Sequence, residues 1–244
     1  MPESLTEAFD PARARAIGQA LRVTQERVAA ACVAAGRPED ATAVLLATKT
    51  QPAGAVRAAI KAGGSLIGEN RVQELVAKGP ALADLPHQAH LIGPLQSNKI
   101  PAALRWADCI QTVADLSLAQ KLSARAEARP APLEVMVQVN TSGEDTKSGT
   151  QPAAAFDLAA QVAGLPGLRL TGFMTIGLFS PDAAAVAKGF AALRAIRDQV
   201  VGSGEPGTAG ATHLSMGMSG DLEIAIAEGA TMVRVGTAVF GPRV

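Results

Sequence analysis

The stretch Ala43-Val-Leu-Leu-Ala-Thr48, followed directly by Lys49, decides how this chain reads. It is too short for a helix, and because it is apolar throughout rather than alternating, it suits a strand buried on both faces, as in a parallel sheet. Upstream, residues 10–35 are Ala-rich, with Ile17, Leu21, Val28 and Cys32 near one helical face, and Gly36-Arg37-Pro38 ends that helix. Downstream, strand and helix patterns alternate. Helix is predicted over 53–62, 71–78, 98–106, 115–128, 152–163, 183–201 and 222–228, and strand over 65–68, 89–92, 109–112, 133–139, 168–174, 211–215 and 231–235. With 43–48 this makes eight strands. Parallel neighbours need crossovers, so the expected fold is α/β, a single (β/α)8 TIM-type barrel with an extra N-terminal helix.

The 244 residues, 48% of them hydrophobic, suffice for one such domain: a helical segment over 1–40 and a barrel over 41–244. A doubly wound open sheet is the alternative architecture. The barrel is favoured by the strand count and by where the polar residues fall. Lys49, Glu69-Asn70, Asn140, Met174, residues 215–219 and residues 234–237 are all read as lying just past strand ends, the face on which barrel sites are built. The 22 basic and 22 acidic residues balance, which argues against a nucleic-acid or anionic-membrane partner and makes any anion site local. No apolar run approaches the roughly 20 residues of a membrane span. The N-terminus, with Glu3, Glu7 and Asp10, resembles no secretory leader, so a cytoplasmic protein is expected. Cys32 and Cys109 are isolated, and His87, His90 and His213 lack metal-ligand spacing, so no metal is expected.

Three features carry chemistry. An amine at the mouth of an apolar barrel is desolvated and so tends toward the neutral nucleophile that captures a carbonyl, which makes Lys49 a candidate Schiff-base lysine. The other reading of Lys49 is a strand-end lysine that snorkels into solvent. In Thr231-Met-Val-Arg-Val-Gly-Thr237, a strand ends in Gly236-Thr237 and turns into a short helix, exposing backbone amides where barrels commonly bind phosphate. Ser215 and Ser219, after the seventh strand, add hydroxyls, although Gly236 also reads as an ordinary closing turn. Arg234 is only a donor and suits a pyridine nitrogen, or else a salt bridge to Asp221 or Glu223. His213 reads as structural, and Met174, Met216 and Met218 as packing or pocket lining.

Six ordered blocks make the resemblance specific: Ala47-Thr-Lys-Thr50; Ile67-Gly-Glu-Asn70 with Val72-Gln-Glu74; His90-Leu-Ile-Gly93 with Leu95-Gln-Ser-Asn-Lys99; Val139-Asn140 with Lys147-Ser-Gly149; Gly172-Phe-Met-Thr-Ile-Gly177; and Leu214-Ser-Met-Gly-Met-Ser-Gly-Asp-Leu-Glu223. From about residue 43 to 242 the chain resembles the pyridoxal-phosphate homeostasis protein family. The resemblance implies the fold of the alanine racemase N-terminal domain and pyridoxal 5′-phosphate (PLP) as cofactor, held as a Schiff base on Lys49. It further implies phosphate at Ser219, Gly236 and Thr237, the pyridine nitrogen facing Arg234, and Asn70, Met174 and Ser215 near the ring. The family often has an aromatic residue after Gly-Glu-Asn; this chain has Arg71, so no stacking role is carried over.

The function expected from this resemblance is intracellular PLP homeostasis, as a carrier or regulator without turnover that passes cofactor to apo-enzymes, the chain being a monomer. The alternatives are a PLP-dependent amino-acid racemase or decarboxylase and a Schiff-base aldolase acting on a phosphorylated sugar. A two-base racemase of this fold takes a second acid–base group, typically a tyrosine from another domain, and this chain has no tyrosine.

Overall fold

The computed structural model of the protein describes residues 9–144 and 147–241; the N-terminal carboxylates Glu3 and Glu7 and the end of the resemblance at 242 lie outside them. Among the described residues eight parallel strands close into a barrel in chain order. They are β1 (Ala43–Ala47), β2 (Leu66–Glu69), β3 (Gln88–Leu91), β4 (Cys109–Val113), β5 (Leu133–Gln138), β6 (Leu168–Met174), β7 (His213–Met218) and β8 (Met232–Val235). Closure is made by β1 against β8, with Ala43 opposite Met232 and Leu46 opposite Val235. The leading helix α1 (Pro11–Ala34) starts at Asp10, whose side chain accepts from the Ala12 amide at 2.9 Å, and buries Ile17, Leu21, Val28 and Cys32. It packs against α2 (Ala53–Lys61), α8 (Leu222–Ala227) and α9 (Thr237–Phe240). The remaining helices are α3 (Val72–Leu82), α4 (Ile100–Ala103), α5 (Leu116–Ala126), α6 (Ala155–Ala163) and α7 (Ala183–Val201). Asp115 and Asp182 cap α5 and α7 by accepting from first-turn amides.

Strand parity sorts the core in two. Leu46, Ile67, Ile110, Val135 and Val233 point outward into the large core shared with the helices. Their neighbours Leu45, Leu66, Cys109, Met136 and Met232 form a small second cluster, with Ile92 packed against it. Alternation along each strand separates the two sets, as a filled barrel requires. The inward positions His90, Gln111, Ser215 and Arg234 are also buried and are polar.

Three elements differ from the sequence reading. The helix expected over 71–78 runs on to Leu82, with Pro80 inside it. The helix expected over 98–106 is a 3-10 turn, Ser97–Lys99, running into the short α4. The seventh strand starts later and runs further than 211–215. Ala211 and Thr212 belong to a turn bonded to Thr208 and Gly210, while Gly217 at φ +88° permits an irregular register that extends β7 to Met218. Ser215 and Arg234 therefore lie within strands rather than past them, and Met174 is the last residue of β6.

Gly172 pairs with His213 across β6 and β7, and a Cβ built on it would lie 2.1 Å from the His213 carbonyl oxygen. Backbone cannot yield as a side chain does. Gly172→Ala is expected to destabilise the protein by about 1–3 kcal/mol or more, checked by urea denaturation.

Candidate functional site

At the C-terminal ends of the strands lies a cavity of about 730 Å³. Lys49, two residues past β1, lines it together with Asn70 after β2, Ser219 after β7, Arg234 in β8, Gly236 between β8 and α9, and Thr237 at the start of α9. Six of the eight residues expected at a site from sequence are thus brought to one chamber. Met174 and Ser215, 1% and 0% exposed, are absent from its wall. Ser215 instead serves Arg234.

Arg234 Nη1 donates to the Ser215 carbonyl at 2.7 Å and to its Oγ at 2.9 Å, and Nη2 donates to the Thr175 carbonyl at 2.7 Å. The alternative salt bridge is not formed: Glu223 pairs with Arg27, and Asp221 accepts from the Met218 amide. Burial pushes the Arg234 guanidinium down to about 10, with Asp221 acting in the opposite direction. It still carries its charge at neutral pH.

The polar chain continues across the barrel. Ser215 Oγ donates to Gln111 Oε1 at 2.7 Å, and Gln111 Nε2 lies 2.7 Å from His90 Nδ1. Because Ser215 Oγ accepts from Arg234, its proton goes to the Gln111 carbonyl, which leaves the amide to donate to His90. That assigns a neutral imidazole with its proton on Nε2, an atom buried with no protein partner. Sequence reading placed His90 in a motif but gave Gln111 no part. The available signal was a polar residue at an inward position of an otherwise apolar strand.

The end of the cavity at Ser219 is organised from α1. Arg27 donates to the Ser219 carbonyl at 3.0 Å while gripping Glu223 at 2.6 and 2.7 Å, which fixes the β7–α8 turn. After the neighbouring strand β8, α9 begins at Thr237, and its first amides have no acceptor within the helix. A Cβ on Gly236 would come within 3.3 Å of the Ala47 carbonyl oxygen. The wall that sequence reading missed is the β6–α7 loop, where Ile176, Leu178 and Pro181 line the cavity and Phe179, 97% exposed, stands at its rim. A phenylalanine two residues before a proline, in Phe179-Ser-Pro181, was the signal for it. Asn140 acts away from this wall, donating to the carbonyls of Glu144 and Lys147 and so shaping the loop after β5, and Lys147 ties that loop to the Gly177 carbonyl. His213 begins β7, at the opposite end of the barrel, and Arg71 is exposed ahead of α3. Among the described residues no group of three or more His, Cys, Asp or Glu side chains is placed to hold a metal ion, and no helix is long and apolar enough to cross a membrane.

Residues 25–244 match the family described as alanine racemase, N-terminal domain. A protein of Pseudomonas aeruginosa named pyridoxal phosphate homeostasis protein is 45% identical over 217 residues, 89% of this chain and 91% of its own length. The chain belongs to the pyridoxal phosphate homeostasis protein family. Among solved structures, an unknown protein from Bifidobacterium adolescentis matches with a TM-score of 0.92 and 46% identity, covering 96% of this chain and 98% of the other. PipY of Synechococcus elongatus, solved with PLP bound, matches at 0.78 with 33% identity, over 92% of this chain and all 100% of its own. The homeostasis-protein barrel is therefore this family's fold, and the cavity lies on its C-terminal face.

Burial pushes His90 down from 6.5 to about 4, helped by the nearby His213. An unfolded chain takes up the proton near 6.5 while the folded one refuses it to about 4, so this contribution is complete above that window and lost as pH falls through it. Between pH 7 and pH 5 the native protein should lose about 2 kcal/mol more stability than His90→Gln, compared by urea titration. Equal losses would show that His90 is not buried neutral.

Proposed function

We propose that this chain binds PLP as a Schiff base on Lys49 and acts in intracellular PLP homeostasis, storing the reactive aldehyde and releasing it to apo-enzymes without turnover of its own. The observation that carries the reading is that one cavity is lined by an amine, Lys49, a guanidinium, Arg234, and the amide-bearing turn Gly236-Thr237. Those are the groups needed for an aldehyde, a pyridine nitrogen and a phosphate. The fit is supported by the cradle at Gly236, where a side chain would crowd the Ala47 carbonyl, and by Arg234, held by oxygen acceptors in a donor-only state. The relatives' names and the PLP held by PipY support PLP as the ligand.

PLP supplies an electron-withdrawing ring and an aldehyde when bound. Lys49 would hold the aldehyde carbon, Arg234 would hydrogen-bond the ring nitrogen, and Ser219, Gly236 and Thr237 would bind the phosphate, with Asn70 beside the ring and Met174 and Ser215 supporting from beneath. A guanidinium opposite the ring nitrogen leaves that nitrogen unprotonated and weakens the ring as an electron sink, compared with a carboxylate partner. The ionisable groups among the described lining residues are Lys49, Asp221 and Arg234. With Lys49 and Arg234 assigned to the cofactor, no cation of this lining is left to grip an amino acid's carboxylate. Both points favour a holder over a racemase or decarboxylase.

Borohydride reduction of the yellow protein followed by peptide mapping is expected to place the pyridoxyl group on Lys49, and Lys49→Ala is expected to be colourless yet folded. An adduct on Lys99 or Lys147 would sink the assignment. In a separate test, the holoprotein is incubated with each L-amino acid and followed for chirality and product. No sustained turnover is expected, because losing acid–base assistance on one face removes about 10²- to 10⁴-fold in rate. Turnover that vanishes in Lys49→Ala would establish the racemase or decarboxylase alternative.

A further inference from the structure

On the outward side of the strand that delivers Lys49, two buried charged side chains, Glu69 and Lys78, meet a partly buried third, Glu74. Lys78 of α3 is 8% exposed, and its Nζ reaches Glu69 Oε1 at 2.7 Å, Glu74 Oε2 at 3.0 Å and the Thr48 carbonyl at 2.8 Å. Glu69, 1% exposed, also accepts from Thr48 Oγ1 at 2.6 Å. Glu74 accepts from the Thr50 amide at 2.7 Å. The cluster thus grips the residue before Lys49 by its carbonyl and hydroxyl and the residue after it by its amide. Thr50 is held at φ +65°, the one positive φ among the described non-glycine residues, in a region that β-branched side chains avoid.

Nothing in the fold calls for buried charge here. Two carboxylates around one ammonium, with Glu69 Oε2 buried and lacking a protein partner, are a costly way to pack β2 against α3 when a hydrophobic cluster of the same volume would serve. Burial raises the Glu69 carboxyl above its ordinary range despite Lys78 and Thr48. For Glu74, burial pushes the same way, but the Thr50 amide and Lys78 outweigh it and the carboxyl falls below its usual range. A small cavity lined by Glu69, Lys78 and Trp106 adjoins the group.

We propose that Lys78, Glu69 and Glu74 are positioning residues for Lys49, clamping the peptides on both of its sides so that its amine is presented into the cavity in one orientation. The proposal rests on Lys49 being the Schiff-base lysine. None of the three is placed in the cavity wall, so they act through the backbone of residues 48–50 rather than on the cofactor. The advantage is preorganisation: a lysine already held in its reactive position loses less freedom when it captures the aldehyde.

Glu74 is the point at which to test this, because it is only partly buried and its loss leaves the Lys78–Glu69 pair intact. In the full chain freed of cofactor, stopped-flow mixing with PLP reads colour formation at Lys49. Pyridoxine 5′-phosphate, which has the ring and phosphate but no aldehyde, reads docking alone. Glu74→Ala is expected to slow colour formation roughly tenfold or more, the scale of one charge-assisted hydrogen bond, while docking of pyridoxine 5′-phosphate is unchanged. Amide exchange at Thr50 should rise in the same variant without any ligand. Adding Thr50→Gly should recover part of the rate, since glycine adopts the positive φ without the clamp. Docking and colour formation that fall together, a wild-type rate in Glu74→Ala, unaltered exchange at Thr50, or no recovery with Thr50→Gly would each overturn the proposal. Lys49→Ala protein that still turns yellow at the native rate would instead remove the Lys49 reading beneath it.

Discussion

A permanently charged guanidinium lies inside the barrel, and the interior around it is arranged to accommodate that charge. Arg234 has left water almost entirely, and the oxygens that replace its hydration shell are the Thr175 carbonyl and the carbonyl and hydroxyl of Ser215. Removing a guanidinium from water is tolerable only where such acceptors are fixed in advance. Once Ser215 is committed as an acceptor its own proton needs a destination, which puts Gln111 on β4 and then His90 on β3. One charge on β8 therefore dictates polar residues on three other strands. The hydrophobic fill of the barrel, Leu45, Leu66, Cys109, Met136 and Met232, forms its own cluster beside this chain.

The opposite faces of the same strands show a complementary division of labour. Inward positions hold the groups that meet the cavity, while outward Thr48 and Glu69 engage α3 through Lys78. A site built on strand ends can use both parities, one for contact and one for support, because alternate residues are rigidly coupled through a single backbone. Loops alone would not provide that coupling.

Much of this was legible in the sequence. Runs such as Ala43-Val-Leu-Leu-Ala47 announced strands buried on both faces, and their alternation with helical periods gave the barrel, because hydrophobic period is set by backbone geometry. Lys49, Asn70, Ser219, Arg234, Gly236 and Thr237 were legible because strand ends are where such a fold keeps its polar groups. Side-chain partners were not. That Ser215 faces Arg234, that Gln111 joins them, or that Glu74 reaches back to Thr50 depends on register between strands distant in sequence, which no local pattern encodes. The late start of β7 was hidden for a related reason: Ala211 and Thr212 look strand-like, and only the turn hydrogen bonds to Thr208 and Gly210 exclude them.

The seam of the barrel has a consequence for biosynthesis. Lys49 follows the first strand and Gly236-Thr237 follows the last, and the two are brought together only when β1 pairs with β8. Arg27 likewise waits for Ser219 and Glu223 before it has anything to hold. While the chain is emerging from a ribosome, the amine is present but its far wall has not been made, and long-range closure of this kind is the late event in folding. If Lys49 is the Schiff-base lysine proposed above, an unfinished molecule offers a free aldehyde only an ordinary lysine, and selective capture is a property of completed chains.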